Sequence, residues 1–252
     1  MTGLLVTSTE DGIFSVTLNR PEKRNALSGE LIELLHEALE HADIDADTRV
    51  VLIRGAGKDF CAGADLDELF ASADRTLAEN ESSALRLGEI FERIRGLPKP
   101  VVSLVQGRAL AGGAGLATAC DLVIASQSAQ IGYPEIQRGF VPAMVATLLR
   151  RSVGEKTALD LLLTGRALGA QDALAAGLIS RVVADGDLEK EGQSLARRLA
   201  NSSPSALALT KQLFFELDGN GFVDGIRLGA RVNAVARGTS DFRTAIAQFL
   251  KQ

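Results

Sequence analysis

The chain has 252 residues, 46% hydrophobic and 23% charged, with 27 basic against 32 acidic side chains and a net charge of −5. That length can bury a sizeable core, and the acidic balance gives no electrostatic footprint for nucleic acid or an anionic membrane. No apolar run approaches the roughly 20 residues that cross a bilayer, no leader pattern opens the sequence, and Cys61 and Cys120 are too few for a disulfide framework or a thiolate cluster. A reducing cytoplasm is the expected compartment.

In chain order, Leu4 to Ser8 and Ile13 to Leu18 read as strands on either side of Asp11-Gly12, a hairpin pair. Ser28 is placed to cap a helix running to about Asp43, with Leu31, Leu34, Leu35 and Leu39 on one face. Val50–Ile53 is an apolar strand. Ala84 to Leu97 has helical spacing at Leu87, Ile90, Phe91 and Ile94, and Gly96 and Pro98 stop it. Strands follow at Val101–Val105, Asp121–Ala125 and Leu178–Val183. Beyond Asp187 the pattern is helical throughout: 188–200, 204–217, 222–236 and 239–250. Strands with crossover helices followed by a run of helices predict an α/β body over residues 1–186 and a helical region over 187–252.

Two glycine-rich stretches each follow an apolar strand and open onto a segment able to start a helix. They are Phe60-Cys61-Ala62-Gly63-Ala64-Asp65-Leu66 and Gly107-Arg108-Ala109-Leu110-Ala111-Gly112-Gly113-Ala114-Gly115-Leu116. Small residues at such junctions let backbone N–H groups approach a ligand, and a helix N-terminus favours negative charge there. Two converging junctions would make a pocket for a developing oxyanion. A third segment, Gly132-Tyr133-Pro134-Glu135-Ile136-Gln137-Arg138, sets one carboxylate in apolar surroundings, where a raised pKa suits proton transfer near neutral pH. Taken alone, Glu135 also reads as a helix cap or a partner for Arg138.

Other chemistries lack their anchors. There is no G-x-S-x-G elbow, no dinucleotide or P-loop fingerprint, and no zinc spacing. The two histidines, His36 and His41, lie five apart on one amphipathic helix and do not share a face as ligands at i, i+4 do. A surface or core-edge position is expected for both.

Taken together, these segments resemble the enoyl-CoA hydratase/isomerase (crotonase) superfamily. The resemblance runs from Leu18-Asn19-Arg20-Pro21-Glu22-Lys23-Arg24-Asn25-Ala26-Leu27 through both glycine loops, Cys120-Asp121-Leu122-Val123-Ile124-Ala125 and Leu163-Thr164-Gly165-Arg166 to Ala173–Leu178. It implies a spiral of ββα units with a C-terminal helical trimerisation region, in homotrimers or dimers of trimers. It also implies an acyl-CoA substrate whose thioester oxygen lies between the N–H groups of Ala64 and Gly112, with Glu135 as acid/base. Lys23, Arg24 and the Ala26-Leu27 backbone match the stretch that approaches pantetheine and phosphates. Ala62, Asp65 and Leu66 match the adenine side, and Gly113 continues the oxyanion turn. Tyr133 and Phe91 are candidate walls of the acyl pocket, though Phe91 is better placed in packed core, and Lys251 is a candidate for a phosphate across a subunit boundary. No cofactor is implied beyond coenzyme A carried by the substrate, and no metal, nucleic acid or membrane.

The sequence also departs from the pattern. Two-glutamate hydratases of this family carry their first carboxylate just after the second glycine loop, and here that position is Gly115. Val141-Pro142-Ala143-Met144-Val145 stands where many relatives are richer in glycine. The expected reaction, from the common activity of relatives, is reversible hydration of a 2-enoyl-CoA with Glu135 as acid/base. The lone Glu135 makes a single-glutamate enoyl-CoA double-bond isomerase the alternative, and a non-catalytic CoA-binding or RNA-binding relative is the alternative of a different class.

Overall fold

A computed structural model describes residues 3–250, so Lys251 lies outside them. The chain opens with β1 (Leu5–Glu10) and β2 (Ile13–Leu18), an antiparallel hairpin. Its turn residues Asp11 and Gly12 both have positive φ, 50° and 77°, matching a turn whose twist suits a two-residue hairpin. α1 (Gly29–Ile44) follows, its first turn capped by Ser28, whose hydroxyl accepts from the Leu31 N–H. At its other end the Lys99 ammonium donates to the carbonyls of Ala42 and Asp45, placing a cation where the helix dipole is negative.

β3 (Val50–Gly55) leads through the first glycine loop into α2 (Leu66–Ala71) and α3 (Leu77–Gly96). α3 begins about two turns before the expected Ala84, because Thr76 and Glu79 form a reciprocal capping box. β4 (Val101–Val105), β5 (Arg108–Leu110), α4 (Gly112–Ala119), β6 (Leu122–Ser126) and β7 (Gln130–Gly132) come next. A 3-10 helix, Pro134–Arg138, precedes α5 (Ala143–Ser152), α6 (Glu155–Thr164), β8 (Ala167–Gly169), α7 (Ala170–Ala176) and β9 (Arg181–Val183). The last four helices are α8 (Leu188–Ala200), α9 (Pro204–Glu216), α10 (Phe222–Arg237) and α11 (Ser240–Phe249).

Six strands form the main sheet in the order β1-β2-β3-β4-β6-β9, parallel from β2 onward, and β5-β7-β8 form a small second sheet. Parallel strands are buried on both faces, so alternate side chains of one strand enter different cores. Val51 and Ile53 of β3 pack with Leu31, Leu35, Ile90 and Phe91 of α1 and α3. Val50 and Leu52 pack instead with Leu188, Leu195 and Ala196 of α8. α8 therefore covers the sheet's second face and belongs to the α/β body, although the sequence reading grouped it with the C-terminal helices. Gly192 permits that contact, since a side chain there would run into Leu104.

α9, α10 and α11 stand apart and bury no residue fully. A mostly buried ion pair helps to fasten them, beside the Arg151–Asp218 pair at 2.7 Å and Arg95 over the Phe215 ring. The Lys211 ammonium of α9 donates to the Ile94 and Lys99 carbonyls and to Asp121 Oδ2 at 2.8 Å, and the same oxygen accepts from the Val101 N–H. Removing one member of such a pair strands the other charge in a mostly buried site. We expect Lys211→Met to lower unfolding free energy by about 3 kcal/mol, read from urea titration, and the double variant with Asp121→Asn to recover part of that loss.

Candidate active site

The first glycine loop is held by the segment before α1. Arg24 and Asn25 both take positive φ, 53° and 56°, and this bend lays residues 24–27 along residues 61–65. The Ala62 N–H donates to the Arg24 carbonyl, the Leu27 N–H to the Gly63 carbonyl, and the Asp65 N–H to the Leu27 carbonyl. These bonds form a parallel bridge between Leu27 and Ala64. In such a bridge the partner's flanking groups are used while its own N–H faces the opposite side. The Ala64 N–H is thus turned away from residue 27 and has no acceptor among the described residues.

The second loop repeats the arrangement. Cys61 bridges Ala109, with the Cys61 N–H on the Arg108 carbonyl and the Leu110 N–H on the Cys61 carbonyl. The Ala111 N–H donates to the Gly132 carbonyl at 2.9 Å, and α4 then starts at Gly112. Ala111 has φ 52° and ψ −126°, a conformation alanine rarely adopts. It costs about 1–3 kcal/mol and turns the first free N–H of the helix, that of Gly112, out of the chain path. Gly112 likewise finds no acceptor among the described residues.

The two loops touch. A Cβ on Gly63 would sit 2.8 Å from Ala111 Cβ and 3.5 Å from the Gly112 nitrogen, so only glycine, itself at φ 93°, fits between them. The segments that carry the two unpartnered N–H groups are therefore in contact, and the positive end of α4 lies at the second. Such a pair can hold an oxygen that gains negative charge.

Glu135 enters from the 3-10 helix Pro134–Arg138 and is 9% exposed. Its Oε2 is buried without a hydrogen-bond partner, and burial raises the carboxyl pKa above the ordinary carboxylate range, only partly offset by its own N–H and by Arg138. A carboxyl group whose pKa is raised by burial is of the kind suited to proton exchange.

The site for a second carboxylate is filled. A Cβ on Gly115 would lie 2.6 Å from Val145 Cγ1 and 2.8 Å from Phe91 Cζ. Leu87 and Leu27 approach Gly112 at 3.2 and 3.5 Å by the same measure, and Met144 approaches Gly88. The surroundings of the N–H pair are thus apolar.

The remaining expected residues are distributed as follows. Ala26 and Leu27 are buried in the clamp, and Ala62 is partly exposed beside it. Lys23 and Arg24 are exposed, with the Lys23 ammonium 3.0 Å from Asp67. Asp65 is buried, caps α2 and pairs with Arg20 at 3.0 Å, so its carboxylate is engaged within the chain. Leu66 is exposed at the start of α2, and Gly113 packs its backbone against Cys61. Tyr133 is 1% exposed, with its hydroxyl 2.9 Å from Thr118 Oγ1, so it belongs to the core beneath the site. His36 is buried at the core edge and His41 is exposed. Arg20, strained Ala111 and Thr118 were not expected. Arg20 and Ala111 stand within the quoted motifs, but nothing local marks the strain at Ala111 or the role of Thr118. Among the described residues, no three His, Cys, Asp or Glu side chains group as metal ligands.

The raised Glu135 pKa has a sign for stability. The native state holds this proton more tightly than the unfolded chain, so the contribution is complete below the ordinary carboxylate range. It is lost as pH climbs toward the raised value. Glu135→Gln should therefore unfold at higher urea than the parent at neutral pH, with the difference shrinking in acid. A constant difference across that range would contradict a buried, destabilising carboxylate.

Comparison with known proteins shows the family and the fold. The family model Enoyl-CoA hydratase/isomerase matches residues 8–250. A Thermus thermophilus protein provisionally named an enoyl-CoA hydratase is 45% identical over 237 residues, 94% of each chain. A similarly named Rhizobium meliloti protein is 35% identical, over 98% of this chain and 94% of that one. The solved enoyl-CoA hydratase of Mycobacterium smegmatis superposes with a TM-score of 0.94 at 31% identity, covering 99% of this chain and 96% of that one. The human enoyl-CoA hydratase domain-containing protein 3 does so with 0.94 at 29% identity, covering 99% and 98%. The fold is the crotonase α/β fold, and the chain belongs to the enoyl-CoA hydratase/isomerase family, enzymes that act on acyl-CoA thioesters.

Proposed function

We propose that the chain shifts a double bond within an enoyl-CoA, with Glu135 as its single acid/base and the Ala64 and Gly112 N–H groups holding the enolate oxygen. The observation that carries this reading is the space at Gly115, occupied by Phe91 and Val145, which leaves neither a second carboxylate nor room for one. The Glu135 carboxylate takes a proton from C2 of a 3-enoyl-CoA. The electron pair passes into a dienolate whose oxygen rests on the two N–H groups, each contributing about 3–4 kcal/mol to that charge. Protonated Glu135 then gives the proton to C4, leaving the 2-enoyl thioester. Coenzyme A travels as part of the substrate and no further cofactor takes part. Its phosphates lie toward Lys23 and Arg24, its pantetheine along Ala26 and Leu27, and its adenine by Ala62 and Leu66, with Asp65 shaping that wall through its cap of α2. The apolar Leu27, Leu87, Phe91 and Met144 favour an acyl group without charge.

Reversible hydration of a 2-enoyl-CoA is the second reading, and the names of the relatives favour it. In that case Glu135 both activates the water and protonates C2. A purely binding role, for CoA or RNA, is disfavoured by the net charge of −5 and by an unpartnered carboxylate that costs stability. Phe214, Phe222, Val223, Ile226 and Phe249 of α9–α11 are each more than half exposed, an apolar surface that fits assembly into a homotrimer or a dimer of trimers. No helix among the described residues is long and apolar enough to cross a membrane, and the cytoplasm remains the proposed compartment.

Liquid chromatography with mass spectrometry of a 3-enoyl-CoA and a 2-enoyl-CoA, each incubated with the protein in D2O, separates the two reactions, because the isomers differ in retention and a hydrated product differs in mass. Conversion of the 3-enoyl substrate without added water is expected, lost in Glu135→Gln. Gain of one deuterated water by the 2-enoyl substrate would establish hydration instead. Gly115→Glu is expected to lower stability and confer no hydration, because the new side chain meets Phe91 and Val145.

A further inference from the structure

α4 positions one reacting partner and the Gly132–Glu135 segment the other, so the distance between these two elements sets the chemistry. They are joined at two points. At the front of the helix, the Ala111 N–H donates to the Gly132 carbonyl. At its rear, Thr118 Oγ1 lies 2.9 Å from the Tyr133 hydroxyl. Thr118 is the only residue of α4 with a hydrogen-bonding side chain. Its hydroxyl donates to the Ala114 carbonyl at 2.7 Å, which commits its one hydrogen, so the Tyr133 O–H is the donor in the bond between them.

Both side chains are buried, Thr118 at 8% and Tyr133 at 1% exposure. A buried hydroxyl without a partner is costly, so the pair holds its geometry firmly. The Tyr133 hydroxyl faces no open space and its proton is committed to Thr118, which removes it as an acid/base or as a substrate contact. Pro134, whose ring fixes φ, is the only residue between Tyr133 and Glu135. We propose that Tyr133, anchored on Thr118, is a positioning residue that fixes the Glu135 carboxylate relative to the Gly112 N–H. This rests on Glu135 being the acid/base.

The test measures turnover of 3-hexenoyl-CoA by the parent, Tyr133→Phe, Thr118→Val and the double variant, with kcat, KM and the acid limb of kcat recorded for each. The expected result is a fall in kcat of about tenfold, short of the roughly hundredfold that an ångström of displacement costs, with KM little changed. The acid limb should move to lower pH, because a loosened segment lets water reach Glu135 and relaxes its raised pKa. The double variant should lose little beyond either single one. Thr118→Val carries the same readouts if Tyr133→Phe fails to fold. A lower melting temperature with kcat and the acid limb unchanged in both single variants, while Glu135→Gln is inactive, would overturn the positioning role alone. Retained turnover in Glu135→Gln would remove the acid/base reading and this proposal with it.

Discussion

The approach of two backbone segments, residues 63–64 against 111–112, is the constraint on which the rest of the structure depends. Neither segment is regular at the point of contact, so each must be held by something else. Parallel bridges do this work, Leu27 to Ala64 and Cys61 to Ala109, and the first of them leaves the Ala64 N–H without an acceptor. The glycine at 63 supplies the clearance and the strained alanine at 111 supplies the direction. Everything beneath follows from holding those bridges in register. Asn25 ties the bend to the Ala56 and Asp59 carbonyls, Asp59 engages Arg108, and the parallel sheet fixes where both loops begin.

The site is costly to fold. Two N–H groups without acceptors, an alanine in an unfavourable conformation and a buried carboxylate oxygen without a partner all lower stability where chemistry is expected. The two cores on either face of the main sheet offset them. Each fully buried leucine contributes about 2–3 kcal/mol, and Leu31, Leu35, Leu39, Leu52 and Leu104 are all buried. An oxygen gaining charge between the two loops would satisfy both N–H groups at once, which makes the arrangement more complementary to an enolate than to an empty pocket.

Much of this was legible in the sequence, and the reasons differ by element. The Asp11-Gly12 hairpin, the Ser28 cap and the apolar strands carry local signals strong enough to read directly. The three-residue strands β5, β7 and β8 do not, since three residues cannot display a period. The start of α3 at Leu77 is encoded in Thr76-x-x-Glu79, but the polar residues after it display no apolar period. α8 read as one more C-terminal helix because its burial against the sheet depends on Gly192 and on strands far away in the chain. At the site, the glycine loops and Glu135 stood out by residue type and order. The positive φ of Ala111 and the Thr118–Tyr133 bond did not, as both arise from tertiary contact between segments that look ordinary alone.

The central claim is that the Ala64 and Gly112 N–H groups polarise a thioester carbonyl. Isotope-edited infrared spectroscopy of a 2-enoyl-CoA carrying a labelled thioester carbonyl, bound to Glu135→Gln so that the ligand stays intact, measures this directly. The carbonyl stretch should move to lower frequency on binding, as two hydrogen bonds draw charge onto the oxygen. A ligand bound at saturation with its carbonyl frequency unchanged from water would contradict the account.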